Sequence, residues 1–284
     1  MAEADRPCEL VASFFTLAGS GFAEPPRHGF AQRCRAAADA GFTGIGLHAA
    51  DLPRTVAGGL DVGGMRSVLA ECGLRVVEIE FLGGWAVDGP DDGLVAGIEA
   101  VADAFGGRHV STGEFRPAPD GGLDLVVAAA RLAMLAARLD RRGLLVAVEA
   151  FPWSALPDPG TALELLRRAG AGNAGLMIDV WHFYNGGARP QLLAGCPAGT
   201  VAAVQLNDGP LVHADFLRHA RARRRLPGAG ELDVVGLVRA VRDTGFTGPW
   251  CVEVNTPEHN ALPIAEAARQ AAHAARAVLD AAGP

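Results

Sequence analysis

Eight short apolar runs alternate with helix-like stretches from one end of the 284-residue chain to the other. The runs read CELVASFFTL, GIGLHA, LRVVEIEFLGG, RHVSTG, LLVAVEAF, AGLMIDVWHF, TVAAVQLNDG and GPWCVEVN. Helical patterns fall at residues 27–40, 64–71, 94–105, 123–141, 161–169, around Gln191, 231–244 and 261–282; Gly41, Gly73 and Gly143 supply helix stops. Strict alternation in the third run puts Val76, Glu78 and Glu80 on one side and Val77, Ile79 and Phe81 on the other. Strands separated by helices pair in parallel and need cover on both faces. Eight such units with no break in composition predict one domain over residues 1–284, a single (β/α)8 TIM barrel, a fold that typically takes roughly 250 residues. An open nucleotide-binding sheet wants GxGxxG after its first strand; AGSGF at 18–22 lacks that spacing.

Composition removes several kinds of chemistry. All 25 basic residues are arginine. A chain with no lysine cannot form a Schiff base, hold pyridoxal phosphate or build a Walker site. The net charge of -7 argues against nucleic acid and membrane surfaces as partners, and the basic cluster at 221–225 is too short to reverse that. Five scattered cysteines without a CxxC pair predict reduced thiols rather than a zinc finger or disulfide framework. MAEADRPCELVASF has no basic region followed by a long apolar one, and no apolar run has membrane-spanning length. The expectation is a cytoplasmic protein.

The last four strands each end in one oxygen-bearing side chain: Glu149, Asp179, Gln205 and Glu253. A carboxylate on a buried strand is costly unless paired or bound to a cation. In a barrel, polar residues at the C-terminal ends of strands converge on one mouth. Three carboxylates and an amide oxygen make a hard donor set, suited to one divalent ion, Mn²⁺, Mg²⁺ or Co²⁺, ahead of zinc. His182 follows Asp179 as D-x-x-H among Trp181, Phe183 and Tyr184, placed to bind a substrate hydroxyl or shuttle a proton. His48, His109 and Thr112 fall near early strand ends as pocket candidates; Trp85, Phe151 and Trp153 are candidates for an apolar wall.

The series E…D-x-x-H…Q…E on strands five to eight, followed by R-x-x-P-G-x-G at Arg224, Pro227, Gly228 and Gly230, resembles the xylose isomerase-like sugar isomerase/epimerase superfamily. GFTGIGLH at 41–48 is similar to that family's second strand. The resemblance implies that Glu149 and Glu253 bind the metal and act as acid and base on opposite faces of an enediolate. It also implies that Arg224, with Arg218 or Arg225 as other candidates, reaches substrate oxygens. The implied activity is metal-dependent isomerisation or epimerisation of a polyhydroxylated ketone, with a small sugar or cyclic polyol ketone as substrate; a homo-oligomer is common among similar proteins. Gln205 replaces the histidine usual in sugar epimerases and resembles the branch that includes 3-dehydroshikimate dehydratases. The alternative is therefore a dehydratase of a cyclic ketone such as 3-dehydroshikimate or an inosose. An endonuclease IV-like nuclease would need a histidine-rich three-metal cluster and a basic DNA face. A non-catalytic barrel would have no need of the ligand series.

Overall fold

A computed structural model describes residues 8–283; residues 1–7 of the N-terminal stretch read above for a leader lie outside the described residues. Eight parallel strands close into a barrel in chain order: β1 (Leu10–Ala12), β2 (Gly44–His48), β3 (Arg75–Gly83), β4 (His109–Gly113), β5 (Leu145–Glu149), β6 (Ala174–Asp179), β7 (Val201–Leu206) and β8 (Trp250–Val252). Closure is made where β1 meets β8, with Val11 opposite Cys251. Outward residues such as Ile79, Val110, Val146, Val148 and Ile178 join one large core with the surrounding helices. Ala147, Met177 and Ala203, from alternating positions, pack separately inside the barrel. No helix of the described residues is long and apolar enough to cross a membrane.

Three local departures from the sequence pattern shape the mouth. The first strand stops at Ala12 because Ser13 caps a buried turn of helix, Phe14–Ala18, its hydroxyl accepting from Phe15 N at 3.2 Å. Short helices also follow strand ends at Asp51–Ala57, Trp85–Asp88, Val180–Asn185, Phe216–Ala222 and Pro257–Asn260. Segments this brief cannot display a 3.6-residue period, so they read as loops in sequence. Asp51–Ala57 is stapled to the neighbouring helix Phe30–Asp39 by a buried ion pair, Asp51 with Arg33. Cutting one partner of such a pair leaves a buried charge, so Asp51→Ala should cost about 3–5 kcal/mol in urea unfolding.

The third departure is in β3. Ile45 pairs with Val76, but the next residue, Gly46, pairs with Glu78, so the strand carries one extra residue. That bulge inverts the phase. Val76 joins the outer core with Ile79, while Val77 packs inside against Val11 and Cys251. Val76 is thus opposite to Glu78 and Glu80, contrary to the strict alternation, and both glutamates turn into the barrel.

Candidate active site

Each of the four proposed ligands comes from the C-terminal end of its strand. Glu149 and Asp179 are the last residues of β5 and β6, and Glu253 follows the last residue of β8. Gln205 on β7 stands in register with Asp179 on one side and Cys251 on the other. All four are buried, and Glu149, Gln205 and Glu253 line a cavity of about 240 Å³ at the barrel mouth. The local sequence explains how Asp179 and His182 work together. Asp179 is the N-cap of Val180–Asn185, accepting from His182 N at 2.9 Å, so D-x-x-H puts the imidazole on the carboxylate's side of the helix. Ligand atoms of Glu149, Asp179 and His182 all lie within 4.8 Å of one another. Asn207 steadies Asp179, donating to its Oδ2 at 2.6 Å while accepting from Trp181 N at 2.8 Å.

Arg224 answers the concentrated negative charge. Its guanidinium is 2.9 Å from Asp179 Oδ2, bonds Glu253, and lies against His182 Nε2 at 2.5 Å. The R-x-x-P-G-x-G loop holds it there. Asp208 accepts from Gly209 N, Gly230 N and Leu232 N, folding the loop back on the end of β7. A Cβ on Gly230 would fall 2.2 Å from Asp208 Oδ1, which accounts for the last glycine of the motif. Burial pushes Glu253 up to about 8, and burial followed by the Asp179 and Glu253 charges raises Glu149 well above the carboxylate range. Burial takes His182 down to about 3, so its ring is neutral, with Nε2 accepting from Arg224.

The donors fit a hard divalent cation. Gln205 Nε2 donates to Glu78 Oε1 at 3.0 Å, and Gln205 Oε1, though buried, has no hydrogen-bond partner. An unpaired buried acceptor beside three buried carboxylates is what an oxygen-ligated ion requires. Glu78 fixes the amide by this bond, a role seldom visible in sequence. Glu78→Ala should weaken Mn²⁺ binding about 10–100-fold in isothermal titration, the usual cost of losing a ligand's supporting partner.

The other sequence candidates divide. His48 and Trp153 line the cavity, and Trp153 stacks on Phe151 with centroids 5.2 Å apart. His109 does not line the cavity: it begins β4, with Nε2 3.2 Å from Glu78 Oε1. Burial takes it down to about 3, so this contact is a hydrogen bond between a neutral ring and the carboxyl rather than an ion pair. Thr112 spends its hydroxyl on Leu82 O, and Trp85 is wholly buried in the core; neither lines the cavity. Arg218 and Arg225 do not line it either. Missed in sequence were Glu80, Ser111 and the ring of Phe15, Phe22 and Phe81 at the rim. The signal for Glu80 was two carboxylates within the apolar run VVEIEF. Asn207 and Asp208 are committed to holding Asp179 and the Arg224 loop, which leaves no further metal set beside β7 among the described residues for a nuclease cluster.

Fold and pocket together define a (β/α)8 barrel with an acid-lined cavity at its C-terminal mouth. The chain belongs to the xylose isomerase-like TIM barrel family, whose sequence profile matches residues 34–278. It is 34% identical over 133 residues to a 3-dehydroshikimate dehydratase of Pseudomonas aeruginosa; the match takes 46% of this chain and 21% of that protein. It is 26% identical over 112 residues to an inosose isomerase of Halalkalibacterium halodurans, 39% of each chain. Among solved structures, the IolI protein with a bound zinc atom superposes with a TM-score of 0.81 at 16% identity, covering 96% of this chain and 98% of that one. The chain thus spans about a fifth of the length of the curated dehydratase it matches.

Proposed function

We propose that the chain is a divalent-metal-dependent enzyme that enolises a small cyclic, polyhydroxylated ketone and expels a β-hydroxyl, as a dehydratase of the 3-dehydroshikimate kind. The observation that carries this reading is Gln205: a neutral amide, aimed by Glu78 and with its oxygen unpaired, stands in the fourth ligand place. The identity to a dehydratase supports it. Glu149, Asp179, Gln205 and Glu253 would hold the ion, and Mn²⁺, Mg²⁺ or Co²⁺ suits these oxygens. When bound, it would polarise the ketone and its neighbouring hydroxyl, making the α-proton acidic.

The chain's own groups do the rest. Glu253, in the cavity wall, takes the α-proton, and neutral His182, its Nε2 accepting from Arg224 and its Nδ1 without a partner, donates to a substrate hydroxyl. Arg224 offers donors to the oxygens where charge develops. The Phe151–Trp153 pair gives a flat apolar face for one ring, and the cavity admits a molecule of about that size. An iminium route is closed, since no lysine exists. A second reading, isomerisation or epimerisation, is favoured by Glu149 and Glu253 flanking the cavity and by the similarity to an inosose isomerase.

The assay uses Mn²⁺-loaded protein with 3-dehydroshikimate, an inosose and free ketoses, followed by ultraviolet absorbance and by NMR in D₂O. New conjugated absorbance with loss of water supports the dehydratase. Deuterium at carbon without new absorbance transfers the proposal to an isomerase or epimerase. No reaction and no exchange, with bound metal confirmed, removes the enolisation reading.

A further inference from the structure

We propose that Arg221 is a specificity-determining residue that takes the carboxylate of an anionic substrate at the rim of the cavity; this rests on the cyclic-ketone reading and names the charge that substrate carries. The basic cluster at 221–225 does not act as one patch. Arg223 and Arg225 line a neighbouring groove with Glu258 and His259, while Arg221 lines the catalytic cavity. Helix geometry makes the division. Phe216–Ala222 turns Leu217, Ala220 and Arg221 to the cavity, an i, i+3, i+4 set, and Arg224 follows three residues on.

Among the described residues the cavity wall holds two guanidiniums, and they are not equivalent. Arg224 is buried and committed to Asp179 and Glu253. Arg221 is exposed, and none of the described residues accepts a hydrogen bond from its guanidinium or pairs with it. Other arginines in the loops after β1 and β4 are engaged: Arg27 bonds Asn260 O, and Arg116 bonds Gly84 O and pairs with Asp88. A guanidinium with five N–H donors and no protein acceptor, at the rim of a ligand cavity, matches a carboxylate through two parallel bonds. Glu80, Glu149 and Glu253 line the same cavity and repel an anion brought among them. The carboxylate therefore stays at the rim while the ketone points inward.

The rim around Arg221 suits a singly charged group. Arg221 and Phe22 also line a second pocket of about 420 Å³ beside the cavity, between the loop at 19–24 and residues 255–260, so the two side chains stand in the wall shared by both spaces. Phe15 lies against Phe22 at 4.5 Å and against His48 at 5.9 Å, which makes a continuous wall of rings. His48 Nδ1 accepts from Ala50 N at 3.2 Å, so its ring is neutral with the hydrogen on Nε2 and adds no negative charge. Glu24 is the one carboxylate among the described residues of the second pocket, and it accepts from Gly21 N at 3.3 Å. One open guanidinium opposite one carboxylate fits a monoanion; a phosphate dianion would want a second cation. A neutral inosose or ketose gains nothing from Arg221. Contact at the rim, away from the reacting carbons, is equal in ground and transition states and acts on KM rather than kcat.

The test compares 3-dehydroshikimate with its methyl ester, which keeps the ring and ketone and removes the charge, in Mn²⁺-loaded wild type and Arg221→Gln. For the acid we expect KM to rise about 10–100-fold with kcat within about threefold, the range for losing a charge-assisted hydrogen bond. For the ester, KM of the variant should stay within about twofold of wild type, since the interaction is absent from both arms of that comparison. Equal effects on acid and ester, or an unchanged KM for the acid, overturn the proposal. Titration calorimetry with the same two compounds reads binding without turnover. Wild type that binds the acid no tighter than the ester overturns the proposal. Wild type that prefers the acid, and loses that preference in Arg221→Gln, supports it even where neither exchange nor water loss occurs; that last result defeats the dehydratase reading instead.

Discussion

Glu253→Gln is expected to lower kcat/KM by about 10³-fold, whichever product the enzyme makes, because the residue is placed to serve both binding and proton transfer. It follows the last residue of β8, 6% exposed, in contact with Arg224 and in the same cavity wall as Glu149 and Gln205. Glutamine keeps the volume and one oxygen but removes the charge. Glu149, Asp179 and Gln205 would still hold an ion, less tightly. The expected pattern is therefore two-fold: weaker Mn²⁺ binding by titration calorimetry, and a loss of turnover that saturating Mn²⁺ does not restore. Full recovery at high Mn²⁺ would assign Glu253 to holding metal alone. Unchanged kinetics would remove it from the site.

Replacing Arg224 with leucine should destabilise the metal-free protein by about 3–5 kcal/mol, the range for stranding buried charges by deleting one partner. The Arg224 side chain is 2% exposed and its guanidinium lies between Asp179 and Glu253. Without it, three buried carboxylates share one small volume with no cation. Protonation would relieve part of that cost and hold the loss toward the lower end of the range. A divalent ion supplies the missing charge by another route, so saturating Mn²⁺ should raise the variant's urea midpoint more than the wild type's. Equal gains in the two proteins would show that Arg224 is not the counter-charge of this site.

The barrel and the strand-end places of Glu149, Asp179, Gln205 and Glu253 were legible because each follows from a short-range rule. Helix–strand alternation repeated eight times fixes parallel pairing, and a lone polar residue closing an apolar strand marks the active mouth. Glu78 and Glu80 were obscured because the extra residue in β3 shifts the strand's phase, and nothing in VVEIEF marks where that shift falls. His109 begins β4, which spans His109–Gly113, so it stands at the first residue of its strand rather than the last and does not line the cavity. The glycines of the R-x-x-P-G-x-G loop carried a family likeness in sequence, yet their reason is spatial. Gly230 presses against Asp208, a residue 22 positions earlier.

The account stands on one ion held at this mouth. The most direct test is a crystal of the protein grown with Mn²⁺ and measured for manganese anomalous scattering. The account predicts one strong peak, with oxygens of Glu149, Asp179, Gln205 and Glu253 at about 2.0–2.6 Å, bond lengths usual for hard divalent ions, and Arg224 displaced from between the carboxylates. No peak in the cavity, with Arg224 still seated between Asp179 and Glu253, would contradict it.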